Sequence, residues 1–157
     1  MNQDKDRFAP DAGYRMTETI HLRSLVPGKY MVILLLSLLS FPLRAAGPEE
    51  TAKLVTAAIQ NGNAGEVSKY FNAMVDLSVP GYDDTYSRTQ AGQILKEFFS
   101  RYPIKSFKIN KEGSSNDGSR YSIGELLTGQ ITYRVYFLIK PVGGQSLVQQ
   151  LQIQEKN

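Results

Sequence analysis

Carboxylates, phenols and a few arginines are the side chains with which this sequence could do chemistry, because it has no Cys, no Trp and a single His, His21. Glu125 comes first. It alternates with Tyr121, Ile123 and Leu127, and a carboxylate sharing an inward strand face with phenolic and apolar groups has its charged form disfavoured and its pKa raised, as a general acid requires. The same spacing also accommodates a bulge beside Gly124 or Gly129 that turns Glu125 outward, or a pairing with a nearby Lys or Arg. Asp76 lies opposite the apolar Val75, Leu77 and Val79 and reads as a solvated or dimer-facing strand residue. Asp83-Asp84-Thr85 lacks the alternate ligand spacing and glycine turn of a calcium loop, so it reads as an ordinary turn, and no metal ligand set is expected. The glycine-bounded stretch 113–118 has no helix start to cradle a phosphate and reads as a hairpin tip. A serine nucleophile would need a base, and there is neither a Ser-x-x-Lys arrangement nor a histidine beyond position 21. Without cysteine there is no disulfide framework, thiolate zinc site, iron–sulfur cluster or lipoprotein anchor. No cofactor is expected.

Aromatic residues offer a different kind of site. Tyrosine brings a large apolar body and a hydroxyl that needs a partner when buried, so a cluster at the mouth of a fold suits a small, mostly apolar ligand with a few polar atoms. Tyr70, Phe99, Tyr121 and Tyr133 are the candidates; Phe99 stands off the helical stripe Ile94, Leu95, Phe98, Tyr102. A third candidate surface is flat and polar. Arg134 and Tyr136 on one strand, with Gln150, Gln152 and Gln154 on the next, form the kind of hydrogen-bonding face that pairs proteins, and a homodimer through it is expected, with Arg134, Tyr136 and Gln152 at its centre.

These residues need elements to hold them. Pro48-Glu49-Glu50 opens a helix with Leu54, Val55, Ala58 and Ile59 on one face, and Asn61-Gly62 closes it. Asn63 with Glu66 is a capping pair for a short second helix. Residues 73–79 alternate as a half-buried strand ended by Pro80-Gly81, and a polar loop over 82–86 leads to Ser87 and Gln90, a second capping box, before a third helix that Pro103 ends. From Lys105 the period becomes two. Phe107 and Ile109 mark one strand, Tyr121 to Leu127 the next. A long strand follows with Ile131, Tyr133, Val135, Phe137 and Ile139 on one face, and Leu147, Leu151 and Ile153 line the inward face of the last. The order α-α-β-α-β-β-β-β predicts an α+β domain with three helices on one face of a curved antiparallel sheet, the order of a nuclear transport factor 2-like cone. A cystatin-like helix-on-sheet domain and an open β-barrel with added helices are the alternatives.

Upstream, residues 30–43 are an uncharged apolar run preceded by Lys29 and followed by Arg44-Ala45-Ala46-Gly47, the order of a secretory signal, and too short to span a membrane. Residues 1–46 are therefore expected to be a leader, with residues 1–15 an extension ahead of a better start at Met16, and 47–157 a single domain. The leader carries six of the 18 Lys plus Arg and four of the 15 Asp plus Glu, leaving 12 and 11 downstream. The basic sequence pI of about 9.1 is thus largely the leader's, and nothing in the remainder has the basic stripe of a nucleic-acid binder.

Several short blocks carry a resemblance. The strings AAIQNGNAGEVSKYF (57–71), YSRTQA (86–91) running into ILKEFF (94–99), YSIG (121–124) and LQIQE (151–155) are similar to those of the small secreted bacterial proteins of domain-of-unknown-function family 4783, over essentially residues 48–156. The resemblance implies a nuclear transport factor 2-like (cystatin-like) fold outside the cytoplasm, and it brings no catalytic residues. The leading expectation is an exported, periplasmic or extracellular, non-enzymatic module that engages a small apolar ligand or a protein partner and meets a membrane only through its signal. The alternatives are a small lyase or isomerase using Glu125 with pocket tyrosines, and a structural subunit of an envelope assembly.

Overall fold

Pro48 begins the first helix where its missing N–H is lost at no cost, and Glu49 and Glu50 lie in the positive first turn. The structure is a computed structural model that describes residues 46–156. The expected leader, with His21, therefore lies outside the described residues except for Ala46. Helix α1 (Pro48–Gln60) buries Thr51, Ala52, Val55, Ala58 and Ile59, while Leu54, expected on that face, is 38% exposed. Asn63 caps α2 (Ala64–Lys69), its Oδ1 accepting from the Glu66 N–H at 3.0 Å. Helix α3 (Arg88–Arg101) starts on the expected capping box: Ser87 Oγ accepts from the Gln90 N–H and Gln90 Oε1 accepts from the Ser87 N–H.

Six strands complete the domain: β1 (Phe71–Val79), β2 (Tyr82–Ser87), β3 (Ile104–Ser114), β4 (Arg120–Thr128), β5 (Ile131–Val142) and β6 (Gln145–Glu155). They form one sheet in the order β2-β1-β6-β5-β4-β3. All neighbours are antiparallel except β1 and β6, which run parallel. Helix α1 packs across β3 to β6, α3 across β1 and β2, and α2 joins α1 to α3. Between helices and sheet lies a single apolar cluster in which Val55, Ile59, Phe71, Leu95, Phe137 and Leu151 are fully buried.

The observed order is α-α-β-β-α-β-β-β-β, one strand more than expected. The stretch read as a polar loop is β2, joined to β1 by Pro80-Gly81 with Gly81 at φ +89°. Its first four residues are exposed, so no apolar alternation marks it; only the backbone ladder with β1 makes it a strand. The sheet is mixed rather than antiparallel because β1, besides its hairpin partner β2, pairs with the last strand β6 and runs parallel to it. A second difference lies in β6. Register slips by one at Gln149, between the pairs Leu138–Gln150 and Ile139–Val148, so Val148 faces the core and Leu147 turns away from it. An extra residue reverses strand parity.

Candidate functional site

Strand β4 decides the fate of Glu125. Its register with β5 is continuous from Arg120 to Thr128, and Ser122, Leu126 and Thr128 are the buried positions. Tyr121, Ile123, Glu125 and Leu127 therefore all face outward. Gly124 explains the parity: a Cβ there would lie 2.6 Å from the Lys108 carbonyl oxygen and 2.8 Å from the Phe107 ring, so the buried Phe107 occupies the space on the core side. No bulge turns Glu125; the whole face is external. Lys156 Nζ donates to its Oε1 at 2.5 Å. That hydrogen bond and charge, with a smaller contribution from Lys108, hold the Glu125 carboxyl below the usual carboxylate range. A general acid needs the opposite shift.

The four aromatic ligand candidates occupy four different places. Tyr133 is 2% exposed, edge-on to Phe98 at 5.4 Å and to Tyr102 at 5.8 Å, and burial pushes its phenol up. Phe99 is buried beside Phe98 at 5.9 Å and borders an open depression of about 570 Å³ with Asn63, Lys96 and Ser100. Tyr70 is half-buried at another depression, about 240 Å³, with Lys69, Gln145 and Leu147. Tyr121 is on the outward face. Next to Phe98 and Tyr102 the cavity volume is about 10 Å³, roughly the size of one water probe. Aromatic side chains fill the inside of the fold rather than line a pocket in it.

The outward sheet face, by contrast, does assemble the residues expected there. Tyr136 pairs across the strands with Gln152, Arg134 with Gln154 and Leu138 with Gln150. Arg134, Tyr136 and these three glutamines line a shallow depression of about 400 Å³. Tyr121 stacks beside Tyr136 with ring centroids 6.4 Å apart and 24° between planes; Gly113 gives it room, since a Cβ there would lie 2.4 Å from its ring. Gln150 and Gln152 continue into a second depression of about 220 Å³, shared with Asp76, Ser78, Asp83 and Thr85. Thr85 Oγ1 donates to Asp76 Oδ1 at 2.6 Å. Side chains of Arg134, Tyr136, Gln150, Gln152 and Gln154 have no hydrogen-bond partner among the described residues.

Asp83 and Thr85, expected in an ordinary turn, join this face because β2 is a strand. Sequence reasoning missed Lys108 and Lys111 of β3, level with Glu125 and Ile123 of β4. The two lysines are three residues apart, so no period-two spacing marked them; the β3 bulge between Ile109 and Lys111 is what puts both on the outward face. Among the described residues no three His, Cys, Asp or Glu side chains gather as a metal ligand set, and no helix is long and apolar enough to cross a membrane.

Comparison with known proteins agrees with this architecture. No curated protein matches the chain. A DUF4783 family protein from Bacteroides ovatus is 30% identical with a TM-score of 0.62, over 66% of this chain and 94% of its own. One from Bacteroides uniformis is 27% identical with a TM-score of 0.63, over 67% and 96%. A structure named Rd1NTF2_04 with long sheet, 15% identical with a TM-score of 0.55 over 68% and 99%, shares the fold alone. The family profile described as domain of unknown function DUF4783 matches residues 52–154; the chain belongs to the DUF4783 family.

Proposed function

We propose that this protein is an exported, non-enzymatic binding module of nuclear transport factor 2-like cone form, whose working surface is the outward face of the sheet and whose partner is a protein. One observation carries the reading: on a face that none of the described helices covers, Arg134, Tyr136, Gln150, Gln152 and Gln154 stand together with their hydrogen-bonding groups unused within the described residues. Arginine and tyrosine are the residues that most often anchor protein interfaces, and amides supply both donors and acceptors. The packed aromatic interior argues against carriage of an apolar ligand inside the fold. The ion-paired Glu125 argues against an acid-catalysed lyase or isomerase. Export rests on the leader pattern of residues 29–47.

The test is native mass spectrometry of the protein isolated from cells expressing the full-length sequence. A protein–protein complex that Tyr136→Asp dissociates is the expected result. A monomer that carries a small molecule lost on denaturation would overturn it. Recovery in the envelope fraction with a new N-terminus near Gly47 tests export; an uncleaved cytoplasmic chain would refute that part.

A further inference from the structure

An open sheet has two edges, and each offers a row of unpaired backbone N–H and C=O groups to another strand. Here the two edges differ. Strand β2 has six residues and is blunted: Asp84 Oδ1 accepts from the Thr85 N–H at 2.7 Å, the Tyr82 hydroxyl donates to Glu97 of α3 at 3.2 Å, and Ser87 ends the strand by capping α3. Strand β3 is open. It has eleven residues and no proline, and among the described residues no strand pairs with its outer side. Its charge is one-signed. Lys105, Lys108 and Lys111 are exposed and form no ion pair among the described residues. The acids beside them are already engaged: Glu112 accepts from Arg120 and from Ser122, and Glu125 accepts from Lys156.

We propose that the β3 edge receives an extended acidic segment of the partner protein as a seventh strand, with two carboxylates two residues apart beside Lys108 and Lys111. The inference rests on the reading of this chain as a protein-binding module. In strand addition the main-chain hydrogen bonds supply affinity, and alternate side chains supply specificity. The β3 bulge sets that spacing. It brings Lys108 level with Glu125 and Lys111 level with Ile123, so residues three apart on β3 match residues two apart on the neighbouring strand, and both lysines stand on the outward side. Lysines on an edge deter a strand that brings no anions, and by the same charge they select one that does. Only β4 separates β3 from β5, so a partner held at Arg134 and Tyr136 reaches this edge along one continuous surface.

Selection from a displayed library of random peptides about nine residues long, the length of an ordinary strand, tests the edge directly. Binders of the unaltered protein are expected to carry Asp or Glu at two positions separated by one residue, and to shift the backbone amide resonances of residues 106–111. The variant Lys108→Glu/Lys111→Glu alters only exposed side chains, and far-UV circular dichroism checks that it folds; it should bind a selected peptide at least about tenfold more weakly. N-methylation separates strand pairing from plain charge attraction. Alternate N–H groups of a strand point to the same side, so methylating the odd residues and methylating the even residues should differ, one abolishing binding and the other sparing it. Equal effects of the two methylations, or undiminished binding by the lysine variant, would overturn the proposal. So would peptides that shift only Arg134, Gln150 and Gln152, a result that leaves the protein-binding reading intact. A library without binders, alongside a native complex that Tyr136→Asp still dissociates, would also overturn the edge assignment alone. Neither binder nor complex would overturn both.

Discussion

The same strands present two faces, and the two obey different rules. On the inner face of β5, Tyr133, Val135, Phe137 and Ile139 are at most 2% exposed and meet helices α1 and α3; there, volume decides what is tolerated. One residue along each time, Thr132, Arg134, Tyr136 and Leu138 are half-buried or exposed. Charge and unused hydrogen bonds govern that side. The contrast teaches that aromatic content by itself does not locate a site: Tyr133 and Tyr136 are three residues apart, and one is core while the other is surface.

Substituting across that boundary is the sharpest way to break the comparison. Phe137→Ala removes a fully buried ring and should lower stability by about 3–5 kcal/mol in urea unfolding, whereas its neighbour Tyr136→Ala should cost less than about 1 kcal/mol and show its effect in the binding of the proposed protein partner instead. Equal costs would erase the distinction between the faces. Gly124→Ala tests why β4 presents Glu125 outward: the added methyl meets the Lys108 carbonyl and the Phe107 ring, and a loss of about 1–3 kcal/mol is expected. A neutral result would mean that packing over Gly124 does not set the strand's parity. Ser87→Ala removes the α3 cap at the junction with β2 and should cost about 1 kcal/mol, read by the same unfolding curves.

The smallest effect is electrostatic. The Glu125 carboxyl is held below its ordinary range by Lys156, so its contribution to stability is present above the unfolded value and is lost as pH falls through the lower, folded one. Both groups are solvent-exposed, so the dependence should be slight and confined to acidic pH. NMR titration should find Glu125 below the ordinary carboxylate value, returning to it in Lys156→Gln. A raised value would restore Glu125 as a general-acid candidate.

Legibility in the sequence followed the range of the interaction. The Ser87–Gln90 box, the Asn63 cap and the alternation of β5 were readable because each depends on residues within one turn or one strand. Strand β2 was not readable: Tyr82, Asp83, Asp84 and Thr85 are exposed and owe their conformation to backbone pairing with β1. The inward face assigned to Leu147 failed because a single extra residue at Gln149 reverses parity without altering composition. Arg134, Tyr136 and Gln152 came together as expected because their pairing follows from one hairpin. Tyr70, Phe99, Tyr121 and Tyr133 did not, since convergence of four elements depends on how those elements pack.

By itself, then, the sequence determined where helices start, which stretches alternate with period two, and that the residues after position 46 hold no His or Cys with which to do conventional nucleophilic or metal chemistry. Those are local or compositional properties, and no folding is needed to establish them. Only the tertiary structure decided which of two alternating faces of β4 turned inward, that β1 lies parallel beside β6, and that acids from β1 and β2 share one surface with cations from β3 and β5. Period-two alternation is symmetric between the two sides of a strand. The symmetry is broken only when a particular side chain, such as Phe107 over Gly124, takes the space on one side.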